Sequence, residues 1–227
     1  MEELTKKYPW VKRKKAYWVW LHTVARLLGF LCRLKVTGRE NIPDRGPVLL
    51  MANHRSYLDP PLVAYAVKKR PVFFMAKSEL FEMPVLSSLI KHWGNAFPVK
   101  RGRADLTALK TALEILRKGE LVCIFPEGQR APASRFVRPK WGAGMVALKS
   151  GAPIVPCLIE GSEALIGKEK LIGGIPRVTV AFGKPFQLDL EDRKDNYQKA
   201  ADFIMEKIKE LKGENKSSEE CRFLLGS

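Results

Sequence analysis

The sequence predicts an α/β fold, in which a single domain has a largely parallel central sheet flanked by helices. Two observations predict it. Short apolar segments bounded by proline or glycine recur along the chain, as is typical of strands buried inside a sheet. Segments with the periodicity of amphipathic helices lie among them, and strands that alternate with helices form parallel sheets. With 227 residues, 46% of them hydrophobic, the chain can bury one core.

Five strands and three helix signals are predicted within residues 47–212. The predicted strands are residues 47–53, 71–76, 121–125, 153–159 and 177–182. Asp59-Pro60-Pro61 has the signature of a helix start after the first strand. A helix is predicted over residues 105–118, where leucines share one face and Gly119 follows, and another over residues 195–212. Residues 36–212 therefore form the predicted α/β domain, and we expect the polar tail 213–227 to be disordered.

The N-terminal segment, residues 1–35, combines clustered cations with a broad apolar helical face. Its first cations are Lys6, Lys7, Lys12, Arg13, Lys14 and Lys15. In a helix over residues 16–33 the charged positions fall in one narrow stripe, and large apolar side chains cover the rest. The longest uncharged run, residues 16–25, is shorter than the roughly 20 apolar residues that cross a bilayer. We therefore expect a helix that docks in the interface of an anionic membrane, on its cytoplasmic face. Packing on the protein's own core is the alternative.

The chain carries a formal charge of +16, which favours an anionic partner such as a membrane surface, an acidic carrier protein, a phosphorylated metabolite or nucleic acid. Nucleic acid is disfavoured, because the sequence has no recognition module and no basic strands interleaved with aromatics. The three histidines lack the spacing of metal ligands, and the four scattered cysteines are typical of free thiols in a reducing compartment. We expect no metal and no cofactor, and the sequence does not predict the oligomeric state.

His54 and Asp59 follow the predicted strand 47–53 with four residues between them. A carboxylate bonded to one ring nitrogen fixes the tautomer of an imidazole and leaves the other nitrogen free to take a proton from a hydroxyl. The pair therefore predicts a general base and its orienting carboxylate. The alternative is that Asp59 only caps the next helix. No nucleophile elbow, phosphate-binding P-loop or dinucleotide fingerprint is present, so the attacking hydroxyl is expected to come from the substrate.

A basic segment precedes the helix at residue 105. Residues 94–103 place Lys100, Arg101 and Arg103 beside two glycines. Glycines let the backbone approach an oxyanion closely, and arginine can donate two hydrogen bonds to it. This segment is therefore a candidate phosphate site, with a basic surface turn as the alternative.

The strand 121–125 breaks into the turn Pro126-Glu127-Gly128, which Arg130 follows. Ligands gather at the carboxyl ends of parallel strands, and both this turn and His54 lie at such ends. A basic loop over residues 131–142, long enough to cover a site, comes next.

Four segments resemble, in order and spacing, the motif blocks of the glycerolipid acyltransferases. They are Asn53-His54 with Asp59, Phe97-Pro98-Val99-Lys100-Arg101, Phe125-Pro126-Glu127-Gly128 and Val155-Pro156-Cys157-Leu158. The resemblance covers about residues 36–190 and is closest to the bacterial lysophosphatidic acid acyltransferases. It implies transfer of a fatty acyl group from acyl-carrier protein or acyl-CoA to the free hydroxyl of lysophosphatidic acid. The product would be phosphatidic acid, and His54 and Asp59 would be the base and its orienter.

The resemblance also implies roles for other residues. Arg101 would meet the phosphate of the acceptor, Glu127 and Gly128 would lie against its glycerol, and Arg130 would be a second phosphate ligand. Lys77 lies in a segment similar to the family and is a candidate electrophile for the thioester oxygen, with a plain surface lysine as the alternative.

One departure concerns the third block. The family continues Glu-Gly-Thr-Arg-Ser, whereas this chain has Gln129 and Ala131 at the two hydroxyl positions. The alternative is therefore the same chemistry on another lysophospholipid or lipid acceptor. A third hypothesis is a non-catalytic basic protein that binds membranes. The four ordered segments with polar residues at strand ends disfavour it, because a scaffold does not need them.

Overall fold

The computed structural model describes residues 18–19, 23, 26–84, 87–88, 90, 95–100, 105–132, 135–164 and 177–224, the last eleven of these by their backbone. Seven strands form one sheet: β1 Lys35–Thr37, β2 Val48–Ala52, β3 Val72–Lys77, β4 Ala96–Val99, β5 Leu121–Ile124, β6 Ile154–Glu160 and β7 Thr179–Phe182. The helices are α1 Arg26–Leu31, α2 Asp59–Val67, α3 Leu106–Arg117, α4 Trp141–Ser150 and α5 Lys194–Leu224.

The sheet is mostly parallel, as the sequence predicts. Its strand order is β1-β7-β6-β2-β5-β3-β4, and the five strands from β6 to β4 run parallel. β7 is antiparallel to β6 and parallel to β1. The carboxyl ends of five strands therefore meet at one edge of the sheet, with β2 and β5 near its centre.

Strand β2 is buried on both faces because helices cover both. Leu49 and Met51 pack against α3, α4 and α5, whereas Val48, Leu50 and Ala52 pack against α2. This explains why the strand is a continuous apolar run rather than an alternating one.

All five predicted strands are confirmed as β2, β3, β5, β6 and β7, and the two predicted amphipathic helices as α3 and α5. Within the basic segment 94–103, Ala96–Val99 forms β4, a strand that was not predicted. β4 lies at the edge of the described sheet and pairs only with β3 there. An edge strand has one side without ladder hydrogen bonds, so it can accommodate Pro98, which has no N–H to donate. α5 continues to Leu224, past residue 212, and the division of the chain into three segments stays a prediction.

Helix α4 was not predicted, because two glycines interrupt its apolar pattern. A Cβ atom at Gly144 would lie 1.9 Å from the backbone oxygen of Tyr197 in α5. The glycine therefore lets the two helices pack closely, which is a tertiary requirement that local periodicity does not show.

Seven of the 18 residues of the predicted N-terminal helix lie outside the described residues, and α1 is its longest described part. Gly29 faces α2, since a Cβ there would lie 3.0 Å from the Tyr65 ring. The opposite face of α1 exposes Leu27 at 58%, Phe30 at 81% and Leu31 at 55%. In the part of the chain that the structure describes, no helix is both long and apolar enough to cross a bilayer.

Candidate active site

The predicted pair, His54 and Asp59, lies in the turn between β2 and α2. His54 Nδ1 is 2.7 Å from Asp59 Oδ2. The Asp59 side chain is fully buried, whereas the His54 side chain keeps 11% of its surface exposed. The carboxylate therefore occupies Nδ1 and leaves Nε2 as the nitrogen that can exchange a proton with a bound group.

Asp59 is held by the turn that it closes. Its Oδ2 also accepts hydrogen bonds from the backbone N–H of Arg55 at 2.6 Å and of Ser56 at 2.8 Å. Its Oδ1 accepts one from Ser162 Oγ at 2.5 Å. The residue before α2 is Leu58, and the Asp59 side chain makes no cap bond to the helix. The alternative that Asp59 merely caps the helix was therefore wrong.

Two residues that follow β5, Phe125 and Glu127, contact His54. The Phe125 ring stacks on the His54 ring, with 4.2 Å between centroids and 21° between planes. Glu127 Oε2 accepts a hydrogen bond of 2.9 Å from the His54 backbone N–H, and Oε1 accepts one of 3.3 Å from Val137 N–H. Glu127 has no exposed surface. Burial raises the pKa of this carboxyl, although the two N–H donors and the nearby Arg55 oppose the rise.

Gly128 completes the turn after β5. Its N–H donates to the Phe125 oxygen at 3.0 Å, and its φ of +64° is one that side chains rarely adopt. A Cβ atom at this position would lie 2.9 Å from Cδ of Lys140. Glycine is therefore favoured by the left-handed backbone, and the flexible Lys140 side chain lies over the turn.

Arg55 fixes the basic loop beside the pair. Its guanidinium donates to the backbone oxygen of Pro132 and, at 2.8 Å, to that of Arg135, and it lies 4.9 Å above the Phe136 ring. The residue is only 8% exposed. Arg55 therefore ties the loop to the turn between β2 and α2.

The backbone adds a second tie at the same place, because Ala131 N–H donates to the His54 oxygen at 2.8 Å. Arg130, which precedes Ala131, is exposed, and its guanidinium lies 3.7 Å from the centre of the Tyr57 ring. The structure thus brings Arg130 to the rim of the same turn as His54.

Two predicted lysines lie farther along the same edge. Lys77 ends β3, two strand spacings from β2, or about 10 Å. Its Nζ pairs with Glu79 Oε1 at 2.8 Å, and this bond lowers the pKa of Glu79 to about 2. Lys100 follows β4, about 14 Å from β2 on the same reckoning, and is exposed. Arg101 lies outside the described residues.

Arg55 and Ser162 were not predicted as residues of the site. Asn53 was given no role of its own, although its side chain bonds both backbone groups of Ile159 in β6: Nδ2 donates to the Ile159 oxygen at 2.8 Å and Oδ1 accepts from Ile159 N–H at 2.7 Å. These contacts join segments more than 70 residues apart in sequence. Among the residues that the structure describes, no group of three or more His, Cys, Asp or Glu is arranged to hold a metal ion.

Comparison with known proteins points to one family. A family model described as Acyltransferase matches residues 33–160, which include all four sequence blocks. The 1-acyl-sn-glycerol-3-phosphate acyltransferase of Bacillus subtilis (strain 168) is 32% identical over 186 residues, 81% of this chain and 89% of that protein. The protein of the same name from Streptococcus pneumoniae is 31% identical over 174 residues, 74% of this chain and 61% of that protein.

A solved structure has the same architecture. The 1-acyl-sn-glycerophosphate (LPA) acyltransferase PlsC from Thermotoga maritima superimposes with a TM-score of 0.66 at 26% identity, covering 86% of this chain and 79% of that one. A chloroplastic relative from Arabidopsis thaliana, named 1-acyl-sn-glycerol-3-phosphate acyltransferase LPAT1, matches 67% of this chain at 32% identity. The chain spans only 43% of that longer protein.

Proposed function

Because the chain belongs to the acyltransferase family, we propose that it transfers a fatty acyl group from a thioester donor to the free hydroxyl of lysophosphatidic acid, giving phosphatidic acid. Three relatives, from Bacillus subtilis, Streptococcus pneumoniae and Thermotoga maritima, carry names that describe this acceptor. The observation that carries the proposal is the 2.7 Å contact between His54 Nδ1 and the fully buried carboxylate of Asp59.

The chemistry follows from that contact. Nε2 of His54 takes the proton of the acceptor hydroxyl as its oxygen attacks the thioester carbonyl, and Asp59 stabilises the imidazolium that forms. The carbon–sulfur bond then breaks, and the thiolate takes the proton from Nε2 and leaves as a free thiol. An oxygen–carbon bond has replaced a sulfur–carbon bond, and the base returns to its first state.

The basic groups at this edge suit an acceptor with a phosphate. Arg130 lies exposed at the rim of the turn, and Lys100 and Arg101 follow β4 in sequence. Arginine binds phosphate oxygens with two parallel hydrogen bonds. Glu127 contributes by a different route, because both of its oxygens hold backbone N–H groups of the site.

We further propose that α1 brings the site to the membrane. Leu27, Phe30 and Leu31 form an exposed apolar surface, and Arg26 and Arg33 lie exposed at its two ends. Apolar side chains flanked by cations favour the interface of an anionic bilayer. A lysolipid acceptor resides in that bilayer, so docking would shorten its path to His54.

The test is release of thiol from acyl-CoA and from acyl-carrier protein in the presence of lysophosphatidic acid vesicles. His54→Ala is expected to lose activity by at least about a thousandfold while its unfolding temperature and vesicle binding stay native. Lys69→Ala is the matched control, because Lys69 lies before β3 at the opposite edge of the sheet and pairs with Asp44 on the surface. Native turnover in His54→Ala would refute the proposal.

A different lysolipid acceptor is the second candidate, favoured by the third block. Gln129 and Ala131 stand where the family has hydroxyl side chains. The Ala131 side chain is 5% exposed, so it does not present a group to an acceptor. With one thioester donor and competing lysolipids, lysophosphatidic acid is expected to have the highest kcat/KM, and preference for another lysolipid would reassign the acceptor.

A further inference from the structure

The carboxyl end of β6 contributes a hydroxyl to the catalytic pair. Ser162 Oγ donates to Asp59 Oδ1 at 2.5 Å, and neither residue has exposed surface. The three other donors to this carboxylate, which are His54 Nδ1 and the N–H groups of Arg55 and Ser56, all meet Oδ2. Within the described part of the chain, Ser162 is therefore the donor on which Oδ1 depends.

The position of this hydroxyl is set by the turn at Gly161 and by the contacts of Asn53 with β6. Gly161 has a φ of +82°, and a Cβ atom there would lie 2.1 Å from the Arg177 oxygen. Only glycine fits, and its left-handed turn carries the chain from β6 into the short helical turn that begins at Ser162. Asn53 fixes the other side of the junction, because its side chain holds both backbone groups of Ile159. The register between β2 and β6 therefore sets where Ser162 stands.

We propose that Ser162 is a positioning residue that holds the Asp59 carboxylate, and through it the His54 ring, in the orientation that general-base catalysis requires. A carboxylate bonded through one oxygen can rotate about its Cβ–Cγ bond, which would tilt the bond to Nδ1. A donor on the second oxygen prevents that rotation. The inference rests on the proposed role of His54 as the base.

Removing the hydroxyl has a defined kinetic consequence. Ser162→Ala deletes one oxygen from a buried site and leaves Oδ1 without its donor. We expect kcat to fall about tenfold to a hundredfold with KM within about twofold, because Ser162 has no exposed surface for an acceptor to contact. Ser162→Thr keeps a hydroxyl at the same carbon and is expected to recover most of the rate.

The pH profile separates this role from a structural one. Without the donor, the negative charge of Asp59 is less compensated and favours imidazolium at His54, so the acid limb of kcat/KM moves to higher pH. Burial raises the pKa values of Glu127 and of the thiols of Cys123 and Cys157 near the pair. These three groups, together with the neighbouring Arg55, Tyr57 and Arg130, are unchanged in the variant.

The experiment compares the native protein with Ser162→Ala, Ser162→Thr and Ser150→Ala in the thiol-release assay, together with an NMR titration of the His54 ring. Ser150 is a matched control, since its hydroxyl bonds the Ala147 oxygen at the end of α4, toward the amino edge of the sheet. A native kcat and acid limb in Ser162→Ala would overturn the inference, as would a rate loss with an unchanged ring titration. The ring titration needs no acceptor, so it tests the inference even if His54→Ala shows that the proposed function is wrong.

Discussion

The ring of His54 lies on the ring of Phe125, with 4.2 Å between their centroids, so the residue that directly follows β5 covers one face of the imidazole. Phe125→Ala removes that contact while leaving the bond to Asp59 in place. An aromatic stack contributes about 0.5–1.5 kcal/mol, so we expect kcat to fall about twofold to tenfold with little change in KM. Steady-state thiol release measures both constants.

The control for this variant is Phe186→Ala. Phe186 makes an edge contact with Phe203 and bridges Ile154 at the start of β6, which is the far edge of the sheet. It should keep the native kcat. An equal loss of kcat in both variants would mean that the effect of Phe125 is general loosening of the fold rather than support of His54.

Glu127 makes stability depend on pH in a predictable direction. Its pKa is raised in the folded protein above the ordinary value of 4.5, mainly by burial, so the folded state binds its proton more tightly than the unfolded state. The contribution of Glu127 to stability is therefore largest below about pH 4.5 and falls as pH rises through the raised pKa. The free energy of unfolding of the native protein minus that of Glu127→Gln should decrease between pH 4.5 and neutrality.

Glu79→Gln provides the opposite case. Lys77 lowers the pKa of Glu79 from 4.5 to about 2, so this carboxylate is ionised in both states only well above pH 4.5. The same difference in unfolding free energy should be level near neutrality and decrease as pH falls through 4.5 toward the lowered pKa. A rising curve for Glu127→Gln would show that burial does not dominate its environment.

The sequence predicted the pair because His54 and Asp59 lie within one strand–turn–helix segment, where short-range geometry decides the contact. Glu127 was placed near them by the rule that parallel strands end at one edge. Ser162 was beyond that reasoning, because its bond to Asp59 spans 103 residues and depends on how β6 pairs with β2. A serine after a strand carries no local signal of such a partner.

The same distinction holds for the elements. The predicted strands were apolar runs with clear ends, and they are all present. β4 was hidden by Pro98, which lacks the N–H of a ladder hydrogen bond, and α4 by Gly142 and by Gly144, which close packing against α5 requires. In both cases the local pattern was overridden by a tertiary position that a single sequence does not reveal.

Arg55 is predicted to hold the basic loop in place. Arg55→Met keeps the length of the side chain but removes the donors to the Pro132 and Arg135 oxygens. We expect the free energy of unfolding to fall by about 1.5–3 kcal/mol, since charged donors make the stronger hydrogen bonds. Hydrogen exchange should also accelerate at the amides of Ala131 and Val137, which bond the His54 oxygen and Glu127.

Arg70→Met is the control for that measurement. Arg70 is also buried, at 7% exposure, and donates to the Pro43 and Gly119 oxygens at the amino edge of the sheet. It should lower stability by a similar amount without a selective change at Ala131 and Val137. If the two variants give the same exchange pattern, Arg55 stabilises the fold as a whole and does not act on the loop.

The exposed apolar face of α1 is predicted to bind lipid. Leu27→Ser combined with Phe30→Ser replaces two side chains that are 58% and 81% exposed. Because apolar burial drives interfacial binding, we expect affinity for anionic vesicles to weaken by about tenfold or more, which corresponds to about 1.4 kcal/mol. Activity should fall on lysolipid in vesicles and be restored when the lysolipid is supplied below its aggregation threshold, because the His54 site is intact.

Phe203→Ser is the control for the α1 variant, since Phe203 is 46% exposed on α5, which packs on the opposite face of the sheet from α2. Native vesicle binding in the α1 variant, or equal weakening in Phe203→Ser, would show that α1 is not the docking surface.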